Sequence, residues 1–301
     1  MRNFVLMSIA FICLPSALYA QTGKSVLLEW KFTEGEKFWV DTQTKIEQSE
    51  RVGNQTGANI VHLRTITSYT VKKVTEAKYV ELEARIDSTS YRSNQTSDSE
   101  KMAALYKRLQ GAVFKIVLTP EMQIAKLEGY QEWLTKLGEL FPTSELDRIR
   151  ALVPEADLRN AISEGFGFLP EKEVSLNNQW KKRSEMNLAP AGTLVYNLTY
   201  AYKGNEKGKE KITIECKEQG KFTPSTGLAT PGTQTEFVMD SRSGVIYFNQ
   251  KLGKLDQAEH NYQTRGQILV PATTVGSQPT TLLVINRINV KQSLLNKAPT
   301  R

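Results

Sequence analysis

Histidine, the commonest acid–base residue and metal ligand, is scarce in this chain of 301 residues. Only His62 and His260 occur, in different halves, and neither has a second metal-ligating residue at helical or hairpin spacing. The sequence therefore predicts no metal site. His62 alternates with polar neighbours along a strand, and His260 lies in a polar run, so both rings are predicted to be exposed.

Carboxylates occur in two close pairs. Glu81 and Glu83 share one face of a strand, and Glu34 and Glu36 flank a turn. Two carboxyl groups about 5–9.5 Å apart can hydrolyse a glycosidic bond. However, acidic residues that alternate along a strand usually form a solvated face. A hydrolase of glycans or esters that uses these strand carboxylates is therefore the alternative hypothesis.

Other catalytic motifs are absent from the sequence. It contains no nucleophile elbow around a serine, no phosphate-binding glycine loop and no dinucleotide fingerprint. We therefore predict no catalytic residue and no cofactor.

Aromatic side chains are the better candidates for a binding site. Tyr130 and Trp133 lie in a segment with helical periodicity, and Tyr196, Tyr200 and Tyr202 share one face of a strand. Residues in these positions meet between a sheet and its helices. They either form the hydrophobic core there or line a cavity for an apolar ligand. We take all five as candidate ligand-lining residues.

The first twenty residues have the order of a secretory signal. Arg2 precedes the apolar run Phe4–Leu14, and small residues follow up to Ala20. The apolar run is too short to span a membrane, which takes about 20 residues. We therefore expect cleavage near Ala20, export to the periplasm or beyond, and no stable membrane anchor afterwards.

Cleavage would leave a single thiol. Cys13 would be removed, so Cys216 would have no intrachain disulfide partner. Cys216 falls on the apolar side of a strand, which predicts a buried and unreactive thiol.

The formal charge of +7 is spread along the chain, with basic residues set among acidic ones. The densest basic stretches, Lys181–Arg183 and the lysines of segment 203–211, flank predicted strands. Lysines in such places discourage edge-to-edge aggregation of sheets. The charge therefore favours solubility over a nucleic-acid partner.

Alternation of apolar and polar residues predicts long strands through the first half of the mature chain. The alternating segments are Val26–Phe32, Phe38–Ile46, Val61–Val71 and Val80–Ile86. Together they predict an antiparallel meander.

Helical periodicity begins at Met102–Leu109 and, after a strand at Ala112–Thr119, dominates Gly129–Gly165. Pro142 and Pro154 divide this helical block into three short helices, and Pro154 suits the first turn of the third.

Strands return in the second half, separated by a predicted loop at Phe222–Gly232 and a predicted turn at Asp240–Gly244, and the last strand ends near Val290. The hairpin-like segments Phe114–Ala125 and Glu236–Tyr247 resemble each other loosely. This resemblance suggests a duplicated β-unit on either side of the helical block.

The predicted fold is α+β and mostly β: long antiparallel meanders form a curved sheet or open barrel, with a helical block between two β-rich halves. The predicted divisions are a signal peptide at 1–20, a first β-rich half at 21–128, the helical block at 129–165 and a second β-rich half at 166–301.

Several of these segments resemble a family of secreted bacterial proteins, domain of unknown function 6263. They are the opening Leu28–Phe38, the hairpin Phe114–Ile124, and Leu169–Lys172 continuing to Trp180. The last element resembles a family pattern ending Gly-Asp-x-Trp, which here is Asn177–Trp180. The change removes a glycine from the expected tight turn. The resemblance implies export and an all-β or α+β fold, and it supplies no catalytic residues.

These observations lead to one principal hypothesis. The protein is predicted to be exported and non-catalytic, and to bind an apolar small molecule or a partner protein in the bacterial envelope.

Overall fold

The computed structural model describes residues 25–95, 99–139, 146, 150, 153–188, 191–225, 234–270, 279–295 and 297–298. The strands in these ranges are β1 Lys37–Val52, β2 Gln55–Val74, β3 Val80–Ser93, β4 Val113–Leu118, β5 Ile124–Glu128, β6 Gln179–Asn187, β7 Gly192–Glu206, β8 Lys209–Cys216, β9 Lys221–Pro224, β10 Gln234–Asn249, β11 Lys254–Val270 and β12 Thr280–Leu295. The helices are α1 Ser99–Leu109, α2 Tyr130–Gly138 and α3 Glu155–Phe166.

All of these strands belong to one antiparallel sheet. Its order is β5-β4-β3-β2-β1-β12-β11-β10-β8-β7-β6, and the short β9 pairs with β7. The first strands and the last strands therefore meet in the middle of the sheet, where β1 pairs with β12. The sheet is not closed, because β5 and β6 are its two edges. The predicted fold of long antiparallel strands in an open, mostly β structure is confirmed.

The helical block connects the two edges of the sheet. Helix α2 follows β5, and α3 precedes β6 and packs against both edge strands. Pro154 is the N-cap residue of α3, and its backbone is extended, with φ −66° and ψ 149°. It therefore precedes the first turn of the helix instead of lying in it as predicted. The middle helix predicted between the two prolines falls mostly outside the described residues. Of its residues, Leu146, Arg150 and Val153 are described; the first two are helical, and Val153 lies in a bend.

Two hydrophobic clusters pack on the inner face of the sheet, which we define as the face carrying Leu82, Ile116, Leu198, Ile214 and Phe248. The first cluster joins β1–β5 to α2 and the end of α3. The second joins β7, β8, β10 and β11 to the segment that follows α3. The two clusters are thus the interiors of the two parts of a single sheet.

The segment 26–33, which we call the N-terminal strap, was expected to be a strand but is not one. Among the described residues, its one ladder contact is an isolated bridge between Val26 and Val174. Its residues still alternate between buried and exposed, because the strap runs across the inner face with one side against the core. The indole of Trp30 contacts both clusters, and its Nε1 donates a hydrogen bond to the Phe166 carbonyl at 2.8 Å.

The turn predicted at Asp240–Gly244 is also wrong. Strand β10 runs through it, with a bulge between Met239 and Ser241. Gly244 is needed for close packing: a Cβ there would lie 2.6 Å from the Glu259 carbonyl oxygen and 3.0 Å from Nδ1 of His260. The second hairpin of the suggested duplication is therefore absent, whereas the first exists as β4–β5. The duplication itself stays a prediction.

Two other local expectations have mixed outcomes. The predicted loop at Phe222–Gly232 begins inside β9, and residues 226–233 lie outside the described residues. The tight turn before Trp180 is kept although its glycine is missing, since Asn177 adopts φ 66°. Asparagine tolerates this left-handed conformation better than most residues.

Candidate functional site: a cavity between α3 and the sheet

A cavity of about 360 Å³ lies between α3 and the inner face of the sheet. This volume falls in the range of small-molecule sites. Its apolar walls come from the sheet and from the segment after α3: Phe168, Met186, Ile246, Leu255, Ala258 and Val290. Its polar walls come from α3 and from six strands: Thr42, Thr44, Asp157, Asn160, Glu164, Glu185, Asn187, Tyr196, Tyr200, Arg242, His260, Tyr262 and Gln292.

An ion pair between a buried arginine and a half-buried glutamate spans the cavity wall from α3 to β10. Nη2 of Arg242 lies 2.7 Å from Oε2 of Glu164, and Nη1 donates to the hydroxyl of Tyr196 at 2.5 Å. The hydroxyl of Ser184 also donates to Glu164. The guanidinium lies between the rings of Tyr196 and Tyr262, 5.4 and 5.3 Å from their centroids. Because only 7% of Arg242 is exposed, its charge is compensated within the protein and not by water.

Neutral hydrogen-bonding groups complete the wall beside this pair. Burial raises the pKa values of the Tyr200 and Tyr262 hydroxyls, that of Tyr262 to about 12. Burial, with a further contribution from Arg242, lowers the pKa of His260 to about 4. These three side chains are therefore uncharged at neutral pH.

Two nitrogen atoms of the wall are buried without a hydrogen-bond partner among the described residues. They are Nε of Arg242 and Nδ1 of His260. An unpaired buried polar atom costs about 1–3 kcal/mol of folding stability. Both atoms belong to the wall of the cavity, so this wall retains polar atoms at a cost in folding stability.

Two further carboxylates lie at the α3–β6 side of the cavity. Glu185 accepts a hydrogen bond from Nδ2 of Asn160 at 3.3 Å. Burial raises the pKa of Asp157 and Glu185 adds to the rise, while a hydrogen bond from Asn187 opposes it. Acidic groups of two different segments thus line one cavity.

The five predicted ligand-lining residues are divided between three places. Tyr196 and Tyr200 line the cavity. Tyr130 and Trp133 are buried in the first cluster, where the Tyr130 hydroxyl donates to the Val153 carbonyl. Tyr202 is buried in the second cluster and donates to Glu210 at 2.6 Å, outside the cavity lining. Packing in the hydrophobic core therefore explains the positions of Tyr130, Trp133 and Tyr202.

The carboxylates singled out from the sequence lie elsewhere. Glu81 is exposed, and Glu83 pairs with Lys72 at 3.2 Å. Glu34 accepts a hydrogen bond from the backbone of Val74, and Glu36 pairs with the buried Lys254. None of them lines the cavity. The strand carboxylates of the hydrolase hypothesis are therefore not brought together with an acid of another segment there.

The remaining predictions concern His62, His260 and Cys216. His62 is exposed as predicted. His260 is half-buried in the cavity wall, so the prediction that it is exposed is wrong; its polar neighbours in sequence lie on the other face of β11. Cys216 is half-buried, and burial raises the pKa of its thiol, which is typical of an unreactive cysteine.

Arg242 and Glu164 were not identified from the sequence. Arg242 was assigned to a turn, and Glu164 stands near the end of a helix without any motif. One signal was available, since α3 carries the small or polar residues Asn160, Ala161, Glu164 and Gly165 at helical spacing. That stripe faces the sheet across the cavity.

Residues 66–253 match the profile of a family described as a family of unknown function, DUF6263. The match covers more than half of the chain. The chain belongs to this family. The matched range begins in β2 and ends just before β11, so it includes the helical block and the ion pair of Arg242 with Glu164. No curated protein sequence matches the chain.

Solved structures give only distant likenesses to this member of the family. A lipovitellin structure has 7% sequence identity and a TM-score of 0.40; the match covers 90% of this chain and 26% of that one. This chain thus spans about a quarter of lipovitellin. DynF from Micromonospora chersina has 7% sequence identity and a TM-score of 0.20, and the match covers 94% of this chain and 91% of DynF. The outer membrane protein OprG from Pseudomonas aeruginosa has 7% sequence identity and a TM-score of 0.22, and the match covers 89% of this chain and 100% of OprG. We draw no functional argument from scores this low.

In the part of the chain that the structure describes, no helix is long and apolar enough to cross a membrane. The same residues contain no group of three or more histidine, cysteine or acidic side chains placed to hold a metal ion.

Proposed function

We propose that this protein is an exported, non-catalytic binding protein that holds a small, mostly apolar molecule in the cavity beside α3. The observation that carries the proposal is the cavity itself, which has a volume of about 360 Å³. It combines apolar walls with a few polar groups at fixed positions, the usual composition of a small-molecule site. The proposed ligand is a small molecule and not a partner protein, because the volume of the cavity suits a small molecule.

Export rests on the order of residues in segment 1–20, which lies outside the described residues. We expect the secreted protein to begin near Gln21. Mass spectrometry of protein recovered from the periplasm or medium would test this, and recovery of a chain that retains Met1 would contradict it.

Binding can be tested with N-phenyl-1-naphthylamine, an uncharged apolar fluorophore that brightens in apolar surroundings. Gly165 gives a way to fill the cavity, because it lines the cavity and a Cβ added there meets no atom within 4 Å. The variant Gly165→Leu should lower the probe's affinity at least tenfold. Gly165→Ala is the matched control and should leave it within about threefold. Both variants replace a helix glycine by a better helix former, so neither should unfold the protein.

The proposal fails if the folded wild-type protein does not bind the probe. It also fails if Gly165→Leu and Gly165→Ala bind the probe equally well, because the probe would then occupy some other surface.

Hydrolysis of a glycan or ester is the second candidate, now with different residues. Its support is the raised pKa of Asp157 in the same cavity as Glu185, a combination that suits a general acid beside a second carboxylate. Turnover of chromogenic glycosides or esters that is abolished in Asp157→Asn and Glu185→Gln would favour it. Absence of turnover by wild-type protein across those substrates would leave the binding role.

A further inference from the structure

We propose that the cavity selects ligands whose polar group is uncharged and contains oxygen: an alcohol, a ketone, an ester or an amide attached to an apolar body. This inference rests on the proposed function and specifies its ligand class. It is carried by the chemistry of the wall around Arg242.

The charged groups of this wall already have partners, apart from Nε of Arg242, which has none among the described residues. Arg242 is held by Glu164 and by the Tyr196 hydroxyl. Glu185 accepts from Asn160, and Asp157 interacts with Asn187. A ligand carboxylate would add a negative charge to a wall that already holds Asp157, Glu164 and Glu185 against one guanidinium. A ligand ammonium would have to share Glu164 with Arg242, or compete with the side chains of Asn160 and Asn187 for Glu185 and Asp157, and it would lose its hydration in doing so.

Two wall nitrogens have no hydrogen-bond partner among the described residues: Nε of Arg242, which can donate to an uncharged oxygen, and Nδ1 of His260. The hydroxyls of Tyr200 and Tyr262 also line the cavity, and burial keeps both phenols and the His260 imidazole uncharged. A phenol both donates and accepts a hydrogen bond, and a neutral imidazole does one at each nitrogen. An uncharged oxygen on the ligand can pair with such groups without the desolvation penalty that an ion pays in a buried site.

Strand register brings these neutral groups to one part of the sheet. Tyr200 pairs with Ile214, Ile214 with Gly244, and Gly244 with His260, so the four residues form one row across β7, β8, β10 and β11. Gly244 has no side chain, which leaves room for the His260 ring beside it. Tyr262 stands two residues from His260 on the same face and directly opposite Arg242.

The test compares three competitors of equal chain length against bound N-phenyl-1-naphthylamine at pH 7.5: 1-decanol, decanoate and decylammonium. We expect 1-decanol to displace the probe at a concentration at least tenfold lower than either ion. The double variant Tyr200→Phe/Tyr262→Phe removes two hydroxyls and keeps the rings. It should still bind the probe but should weaken 1-decanol about tenfold, by the loss of one to two neutral hydrogen bonds.

Tyr69→Phe is the matched control. It removes a hydroxyl from a tyrosine of the first cluster, where burial also raises the pKa to about 12, and it should leave the three competitors unchanged. Equal or tighter binding of decanoate or decylammonium to the wild type would overturn the inference, as would an unchanged 1-decanol affinity in the double variant. In each of these results the probe still binds, so the proposed function stands; loss of probe binding to the wild type would instead remove the proposed function.

Discussion

The two hydrophobic clusters lie under the same sheet, and a cavity lies where the second cluster meets α3. In the first, α2 places Trp133, Leu134 and Leu137 against the strands, and all three are at most 5% exposed. In the second, α3 turns Asn160 and Glu164 toward the strands. The strands alternate in the same way in both parts. The side chains that each helix directs toward the sheet therefore decide whether the space between helix and sheet is packed with apolar groups or forms a cavity.

The largest expected effect on this contrast comes from breaking the ion pair of the cavity wall. Arg242→Met should lower the free energy of unfolding by about 3–5 kcal/mol, because it leaves Glu164 facing the cavity without its counter-charge. Urea unfolding followed by circular dichroism measures the change. The double variant Arg242→Met/Glu164→Gln should recover a large part of the loss. If the double variant is no more stable than the single one, the ion pair is not the source of the effect.

Truncation of a core side chain should cost more in the filled cluster than at the cavity. Leu118 is 0% exposed in the first cluster, and Ile246 borders the cavity at 2%. Leu118→Ala should lower the unfolding free energy by about 2–5 kcal/mol. Ile246→Ala should lower the unfolding free energy by less, because one side of the Ile246 side chain faces the cavity and not packed neighbours. Equal losses in the two variants would indicate that the cavity is closed in solution.

The cavity wall should also make stability depend on pH through His260. Its pKa is lowered from 6.5 to about 4 on folding, so the unfolded state binds more protons between those values. Stability should therefore fall as the pH drops from about 6.5 to 4, by up to about 3 kcal/mol from this residue. His260→Gln should flatten that part of the profile, whereas His62→Gln, at an exposed site, should not. Identical profiles for the two variants would contradict the burial of His260.

The smallest expected effect lies outside the cavity, at the turn before Trp180. Asn177 has φ 66°, a conformation that glycine adopts without strain. Asn177→Gly should therefore leave stability unchanged or raise it by up to about 1 kcal/mol. Asn178→Gly is the contrasting variant and should destabilise, because the Asn178 side chain accepts the Ser175 backbone hydrogen bond at 2.8 Å. Thermal melts of the two variants would measure both changes.

Periodicity predicted which side of each segment is buried more reliably than what the segment pairs with. The N-terminal strap alternates like a strand, yet it crosses the sheet instead of joining it. Alternation reports one buried side, and either arrangement provides one. Whether backbone hydrogen bonds go to a neighbouring strand depends on residues far along the chain, which a local pattern does not contain.

The candidate site was only partly predictable for a related reason. Tyr196 and Tyr200 were found because aromatic residues on one strand face are visible in the sequence. Arg242 was missed because the sequence Asp-Ser-Arg-Ser-Gly resembles a turn, whereas here these residues lie at and after a bulge inside β10. Its partner Glu164 lies 78 residues away. Such a pair is set by sheet register and helix placement together, and neither is encoded locally.

The N-terminal strap has a consequence for the order in which the chain folds. The backbone N–H of Lys31 donates a hydrogen bond to the Gly253 carbonyl. The Leu27 carbonyl accepts a hydrogen bond from the side chain of Gln250, which lies 223 residues away in sequence. Trp30 needs the rings of Phe166 and Phe248 already in place before it can pack. The strap precedes β10 in the chain, so it finds its binding surface only after β10 has been synthesised. Contacts of such long sequence separation slow folding, so most of the strands must be made before the strap can dock.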